Sequence, residues 1–408
     1  NSCEALKDYI NIPLKLNSPL VINGRLNEKA RILDLFFMSR DAVYAGNQIK
    51  NIELTIATKN NSLVTTIDGE YNNVKGQHIY INSLADISND KIASSINYFA
   101  PGHTALKGKV NSDISFYNKR GDLATRVHFH PSDVSIDTVR LMLQPSDIEY
   151  YRKNLIIDHF EISNKTQHII VNGKTSGNPE DSLIVQLKDI DVPYILDLVN
   201  FHSVDFGGLA SGTASVKSVF SHPIAKANLV VKDFTFQDGD MGELTANAYY
   251  ENKEGIIYID AKAFADDNSY TDVKGYVDLK NSYINLPIYA HNTKLYFMQS
   301  FCDSFMDRIN GSATGWCKVV GPLDEVNLEG DLRANGNMYI KPIGTTYTLE
   351  NCHITMLPNE IIFDKDTIRD AKGNIGIVTG GLKHENLKNL TYNVNIAANN
   401  LLCYNFPR

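Results

Sequence analysis

Two histidines on one strand-like segment, His128-Phe129-His130, are the residues best spaced for metal chemistry in this sequence. Alternate side chains of an extended chain point to the same face, so the two imidazoles lie side by side. Transition metals accept such a pair, but a site needs a third or fourth ligand, and none is adjacent in the sequence. We therefore expect no metal and no cofactor.

The five cysteines fit no zinc motif and no CxxC motif; they are Cys3, Cys302, Cys317, Cys352 and Cys403. Two interpretations of Cys302 and Cys317 stay open. They form a disulfide if a helix packs on the following strand, or they are small buried apolar side chains. Cys302 alone does not indicate a catalytic thiol, because no histidine is placed beside it.

Catalytic motifs are missing from the chain, which has no GxSxG elbow, Walker loop, HExxH pair or GxGxxG sequence opening a helix. The acidic runs Asp266-Asp267 and Asp364-Lys365-Asp366 lie between strand-like segments and are predicted to be solvated turns. Trp316, the only tryptophan, is predicted to be a packing anchor on a strand. We expect that the protein is not an enzyme.

Composition narrows the classes of partner. The net charge of −8 argues against nucleic acid, which requires clustered Lys and Arg. The apolar share of 43% can support a core, but stretches such as Leu35-Phe36-Phe37-Met38 are too short to span a bilayer. Because the 408-residue chain opens at Asn1 without Met, we interpret it as a piece of a longer protein.

Period-two alternation of apolar and polar residues recurs along the chain, as in Ile52-Leu54-Ile56 and Leu244-Ala246-Ala248-Tyr250. Tight-turn pairs such as Asn172-Gly173 and Asp238-Gly239 suit antiparallel hairpins. A sheet with one apolar face must cover that face or curl around it. The pattern predicts an all-β fold of roughly 25 strands, an elongated and curled antiparallel-rich sheet.

Three segments interrupt the strand pattern with helical spacing of apolar residues: Asp90 to Phe99, Pro193 to Phe201, and Lys294 to Ile309. We predict three short amphipathic helices. One interpretation is that these helices cover the apolar face of the sheet, and the other is that they contact lipid.

A block of sequence returns after ninety-nine residues. Gly212 opens a Gly-Thr-Ala-Ser run that is followed by Pro223, and Gly311 opens a Gly-Ser-Ala-Thr run that is followed by Pro322. A weaker copy starts at Gly108. Repetition at a fixed period is typical of stacked repeat structures. We predict one continuous β structure with four segments, 1–107, 108–211, 212–310 and 311–408.

Several degenerate motifs resemble the TamB/AsmA-like family of envelope proteins, most of all TamB proteins of Gram-negative bacteria, with a Bacteroidetes-like composition. The resemblance runs from about Leu141 to the end of the chain. Its motifs are Leu187-Lys188-Asp189-Ile190-Asp191, Val319-Val320-Gly321-Pro322-Leu323 and Asp370-Ala371-Lys372-Gly373-Asn374.

The resemblance implies a periplasmic protein with an N-terminal inner-membrane helix, which would lie outside this sequence. It also implies a curled β-sheet, called a β-taco, with an apolar interior. A C-terminal region of such proteins engages an outer-membrane barrel of the TamA or BamA kind. The proposed roles are phospholipid transport to the outer membrane and assistance in barrel-protein assembly.

We therefore predict an apolar groove that conducts phospholipid acyl chains between the two membranes. The predicted lining residues are Leu183, Val185, Leu187, Leu244, Ile257, Ile259, Tyr392, Val394 and Ile396. The alternative is a scaffold that offers strand edges to nascent barrel strands. A third possibility, a polysaccharide-binding solenoid, would show aromatic stripes on the outer face.

Overall fold

Nearly every described segment of the protein is a β-strand. The computed structural model describes residues 14–44, 47–72, 78–100, 103–136, 139–194, 205–323, 325–385 and 388–406. Strands account for 77% and helices for 3%, and all 27 strands belong to one antiparallel sheet. The all-β fold expected from the alternation is confirmed.

Two compact units divide the chain, unit 1 at Asn1–Leu183 and unit 2 at Ile184–Arg408. The division falls inside strand β15 (Ser182–Asp191). The other strands of unit 1 are β1 (Leu14–Leu16), β2 (Val21–Asn27), β3 (Ile32–Tyr44), β4 (Asn47–Lys59), β5 (Ser62–Asn72), β6 (His78–Ser88), β7 (Lys91–Ala100), β8 (His103–Lys119), β9 (Asp122–Phe129), β10 (Ser132–Ile136), β11 (Val139–Leu143), β12 (Ser146–Tyr151), β13 (Asn154–Ser163) and β14 (His168–Thr175).

The strands of unit 2 are longer on average and follow one another as hairpins. They are β16 (Phe206–Lys217), β17 (Ile224–Phe236), β18 (Gly239–Glu251), β19 (Ile256–Asp266), β20 (Ser269–Asp278), β21 (Tyr283–Lys294), β22 (Met306–Pro322), β23 (Asn327–Ile340), β24 (Thr345–Leu357), β25 (Glu360–Asp370), β26 (Ile375–Glu385) and β27 (Lys388–Ala398). From β16 onward each strand pairs antiparallel with the next.

Prolines split two strands of unit 1. The long strand β8 pairs with both β9 and β10, which are separated at His130-Pro131. Strand β13 likewise pairs with both β11 and β12, which are separated at Gln144-Pro145. Proline has no N–H to give to a ladder, so each break falls where a continuous strand would need that donor.

The prediction of a helix over Asp90–Phe99 is wrong, because this segment lies in β7. In the sheet Ile92 is opposite Ile114 and Ile96 is opposite Val110. Residues four apart share a face in a strand as well as in a helix, so the spacing fits both structures.

The other two predicted helices are shorter than expected or only partly described. Residues 192–194 are helical, and the rest of Pro193 to Phe201 lies outside the described residues. Within Lys294 to Ile309, only a 3₁₀ turn at Tyr296–Met298 and helix α1 at Gln299–Cys302 are helical, and strand β22 resumes at Met306.

The structural repeat in unit 2 has a different offset from the sequence repeat. The 99-residue period equates Gly212 with Gly311, but Gly212 is opposite Leu229 whereas Gly311 is opposite Gly336. The position equivalent to Gly212 is Gly315, which is opposite Leu332. An offset of 103 residues therefore relates the two hairpins.

Two hydrogen bonds support this offset. The Asp189 N–H donates to Ser211 Oγ, and the Asn292 N–H donates to Thr314 Oγ1, each at 2.9 Å. Both donors have positive φ, at 50° and 48°. In both places, a bulged residue of the preceding strand thus donates to a hydroxyl, and the residue that carries this hydroxyl directly precedes the equivalent glycine.

Buried side chains concentrate at one end of the unit 2 strands. A cluster there contains Val231, Phe234 and Ala263, packed with aromatic rings that include Phe297 of the 3₁₀ turn. A second cluster joins Tyr347 and Ile368 to Leu401, which follows β27. These clusters anchor the hairpins at positions where the sheet face is locally covered.

Candidate functional site: an apolar sheet face

Cross-strand register links one residue from each of the twelve strands β16 to β27 into a single row. Directly opposite residues of antiparallel strands have their side chains on the same face of the sheet. We call the following residues the central row: Gly212, Leu229, Ala246, Ala261, Val273, Ile288, Cys317, Gly330, Met356, Ile361, Leu382 and Tyr392. The row crosses twelve strands without a charged residue, and the sheet face that carries it is called the apolar face.

Six of the nine predicted lining residues lie on the apolar face. Leu244 is two positions from Ala246, and Ile259 is two positions from Ala261. Ile257 lies two positions beyond Ile259 and is opposite Tyr250. At the other edge, Tyr392 belongs to the central row, and Val394 and Ile396 follow it at alternate positions.

The remaining three predicted residues, Leu183, Val185 and Leu187, occupy alternate positions of β15 and share one face of that strand. The central row is traced by cross-strand register from β16 onward. The place of these three residues beside the apolar face stays a prediction, as does the role of all nine in contacting lipid.

The sheet of unit 2 curls so that the apolar face is on its inner side. Phe305, just before β22, stacks on Tyr392 of β27 with 5.4 Å between ring centroids, although the two strands are five apart in the ladder. At the other end, Phe297 lies 5.3 Å from the ring of Phe236 on β17. The short helical segment after β21 therefore covers part of the apolar face, as the first interpretation of the helices predicted.

No second sheet is present among the described residues to cover the rest of the apolar face. Strand β27 shows this most clearly, since Tyr392, Val394 and Ile396 are 64%, 41% and 45% exposed. Elsewhere in the central row the side chains are half-buried, and those of Met356 and Leu382 are only 7% and 8% exposed. The exposed apolar side chains of β27 are typical of a surface that contacts lipid or protein.

The opposite face of unit 2, which we call the polar face, carries charged side chains in cross-strand pairs. Lys274 Nζ lies 2.9 Å from Asp260 Oδ2, and Lys318 Nζ lies 3.0 Å from Glu329 Oε2. Trp316 also lies on the polar face and is 46% exposed, so the prediction of a packing anchor is wrong. Trp316 and Cys317 are consecutive in β22, so their side chains point to opposite faces, and that of Cys317 points to the apolar face.

The cysteines of unit 2 are free thiols, so the disulfide between Cys302 and Cys317 is not formed. Burial raises the pKa of each of these two thiols to about 11, because the thiolate would be poorly solvated. Both therefore stay protonated near neutral pH. Cys3 lies outside the described residues.

His128 and His130 lie on one strand face in unit 1, with 5.1 Å between ring centroids. Each ring contacts a different carboxylate: His128 Nδ1 is 3.2 Å from Asp147 Oδ1, and His130 Nε2 is 2.9 Å from Asp113 Oδ2. Among the residues that the structure describes, no group of three or more His, Cys, Asp or Glu side chains could hold a metal ion.

Small residues of the central row were missed by the sequence reasoning. Gly330 and Ala261 have too little side chain to stand out in a hydropathy pattern, yet they keep the row free of polar groups. The alternation of Ala246 and Ala248 with polar neighbours predicted strand β18, but it did not identify the small residues that face them on other strands.

Comparison of the chain with protein-family models, with curated proteins and with solved structures gives no match in any of the three. No helix in the described part of the chain is both long and apolar enough to cross a membrane.

Proposed function

We propose that this protein is a periplasmic groove protein of the TamB/AsmA-like kind that conducts phospholipid between the inner and outer membranes. The observation that carries the proposal is the uncharged central row, which crosses all twelve strands from β16 to β27. At about 4.8 Å per strand, the row provides an apolar path of roughly 50 Å in unit 2.

The physical argument is transfer free energy. Each methylene of an acyl chain kept out of water contributes about 0.8 kcal/mol, so a continuous apolar path offsets most of the cost of leaving a membrane. The headgroup stays outside the apolar path, in water. Such conduction is passive and needs no catalytic group. The resemblance of the sequence to the family supports the periplasmic location, an inner-membrane anchor and a TamA- or BamA-like barrel partner.

A charge placed on the apolar face tests the proposal. Ile259→Asp puts a carboxylate beside the central row, where a passing acyl chain would strip it of water at a large cost. Val230→Asp is the matched control, because Val230 lies on the polar face and is already 38% exposed.

The measurement is labelling of the chain by a phospholipid with a photoreactive acyl tail, together with lipid transfer between donor and acceptor vesicles. We expect Ile259→Asp to lose most labelling and transfer, and Val230→Asp to keep both. Circular dichroism checks that both variants fold. Equal labelling of the two folded variants would contradict lipid conduction.

The second candidate function is a scaffold for barrel-protein assembly. Strand β27 favours it, because within the described chain β27 pairs only with β26 and offers a free backbone edge. Free edges recruit strands from other chains. Val394→Pro and Asn395→Pro remove N–H groups on opposite sides of β27. In one of these variants the lost N–H points away from β26, so the pairing with β26 is kept. That variant should lose binding to unfolded barrel protein if this function is correct.

A further inference from the structure

The polar face of unit 2 has an ordered surface that lipid conduction does not use. Two rows of side chains cross neighbouring strands there. Tyr249, Tyr258 and Tyr276 are cross-strand partners in an aromatic row, and Asn247, Asp260 and Lys274 are partners in a hydrogen-bonding row. The rows lie two residues apart along each strand, which is about 6.6 Å.

A recess of about 630 Å³ runs between these two rows on β17–β20. Its floor is the backbone at intervening positions such as Ile259, whose side chain points to the apolar face. The rows form its two walls. One wall is formed by the tyrosines and by Lys226, the β17 partner of Tyr249, whose Nζ lies 5.6 Å from the centre of that ring. The other wall carries amide, carboxylate and ammonium groups.

Hydrogen bonds hold the aromatic wall in place. The Tyr249 hydroxyl donates to Glu251 Oε2 at 3.1 Å, and the Tyr258 hydroxyl donates to Glu254 Oε2 at 3.0 Å. The two rings are nearly parallel, with centroids 6.4 Å apart. Tyr258 is nevertheless 42% exposed, so its ring is positioned but uncovered.

The other wall, formed by the hydrogen-bonding row, presents polar groups to solvent, and the charges of this row are paired with each other. Lys274 and Asp260 form an ion pair, and their side chains are 77% and 59% exposed. Beside them Asn247 offers an exposed amide that both donates and accepts hydrogen bonds. A wall with paired charges and an amide favours an uncharged, hydroxyl-rich ligand over an anion or a cation.

We propose that this recess binds a linear, uncharged glycan that lies across the strands. Pyranose rings have an apolar C–H face, which stacks on aromatic rings, and hydroxyls at their edges, which hydrogen-bond to carboxylates and amides. The strand spacing of about 4.8 Å is close to the length of one sugar unit. Tyr289 and Trp316, cross-strand partners on the same face, lie two residues beyond the hydrogen-bonding row in the row of Asp272, so they form a separate exposed aromatic pair outside the recess.

The test is calorimetric titration of the 408-residue chain with cellohexaose and chitohexaose as linear probes. We expect at least one of them to bind, and Tyr258→Ala to weaken its affinity about tenfold through loss of one stacking contact. Tyr296→Ala is the matched control, because Tyr296 is 54% exposed but lies outside the recess. It should leave the affinity unchanged.

Absence of binding by both probes would overturn the proposal, as would an equal loss of affinity in the two variants. The recess could instead be occupied by a second copy of the chain, and analytical sedimentation tests for such a dimer. Dimerisation that Tyr258→Ala abolishes would replace the glycan by a protein partner and also overturn it. The recess and the central row lie on opposite faces, so these outcomes are independent of the lipid experiment.

Discussion

Gly212 shows how a single backbone position permits the close pairing of two strands. Its φ is +151°, and a Cβ added there would lie 2.1 Å from the carbonyl oxygen of Asn228. The equivalent Gly315 has φ +145° and would place a Cβ 2.3 Å from Asp331 O. Only glycine accepts both the backbone conformation and the close approach.

We therefore predict that Gly212→Ala lowers the free energy of unfolding by about 1–3 kcal/mol, as strain at a special backbone position does. The control is Gly177→Ala, because a Cβ at Gly177 would meet open space. Urea unfolding followed by circular dichroism measures both variants. Similar effects of the two substitutions would contradict the strain argument.

Glu149 in unit 1 is a second residue whose surroundings determine its behaviour. Its carboxylate contacts Lys119, Tyr117 and, at 3.2 Å, Arg126 Nη2. The side chain is only 11% exposed. The hydrogen bond from Lys119 is the largest cause that lowers the pKa of Glu149 to about 2, followed by the hydrogen bond from Tyr117.

The lowered pKa predicts a pH dependence of stability. Because the folded pKa of about 2 lies below the ordinary value of 4.5, the contribution is present above about pH 4.5 and is lost as the pH falls towards 2. Glu149→Gln should unfold at lower urea concentration at neutral pH and lose less further stability on acidification. If the free energy of unfolding depends on pH in the same way in the unmodified protein and in Glu149→Gln, then Glu149 is not the cause of the acid destabilisation.

At the scale of elements, the 3₁₀ turn Tyr296–Met298 covers one end of the apolar face. Phe297 packs on the buried cluster around Val231 and Phe234, and the Ser300 hydroxyl donates to Gln237 O at 3.0 Å. The segment thereby ties the connection after β21 to the turn between β17 and β18.

Phe297→Ala should remove this cover and cost about 2 kcal/mol of unfolding free energy, less than a fully buried Phe because the ring is half-buried. Tyr296→Ala changes an exposed neighbour and should cost little. Thermal unfolding and binding of an environment-sensitive apolar dye measure the two effects. If both variants bind the dye equally, the turn does not cover the face.

The segment after β27 is held by Asp370. Asp370 Oδ2 accepts from the Leu402 N–H and from Asn374 Nδ2, both at 2.8 Å, while the Tyr347 hydroxyl donates to Leu402 O at 2.9 Å. The Asn374 side chain is the largest cause that lowers the pKa of Asp370 to about 2. Leu401 is thereby kept buried against Ile368.

We predict that Asp370→Ala releases residues 399–406 from the sheet. The protection factor of the Leu402 amide, which is its intrinsic exchange rate divided by the observed rate, should fall. Acidification from the ordinary carboxyl pKa of 3.8 towards 2 should also lower this protection factor in the unmodified protein. Asp364→Ala on the same strand, at an exposed position, is the control. Unchanged exchange at Leu402 would show that packing of Leu401 alone holds the segment.

At the scale of the molecule, the central row predicts that lipid contacts extend across unit 2. A photoreactive amino acid placed in turn at Ala261, Ile288, Ile361 and Tyr392 should label phospholipid at every position. The same amino acid at the polar-face position Thr245 should not. Labelling confined to one end of the row would indicate a binding pocket rather than a path.

The all-β fold and the two-faced character of the strands could be predicted from the sequence, because side-chain direction in a strand alternates with every residue. That rule also placed Leu244, Ile257 and Ile259 on one side of their strands before any partner strand was known. Alternation could not distinguish β7 from a helix, since Ile92 and Ile96 fit both periods.

The register of the strands, the curl of the sheet and the cover of the apolar face could not be predicted from the sequence, because they depend on contacts between distant strands. A shift of two hairpin strands by an even number of residues keeps every side chain on its face, so Gly212 could be matched to Gly311 or to Gly315 without changing the hydropathy pattern. Bulges at Asp189 and Asn292 fix the choice through hydrogen bonds to the neighbouring strand. Contacts such as Phe305 with Tyr392 join strands far apart in sequence and depend on how the whole sheet bends.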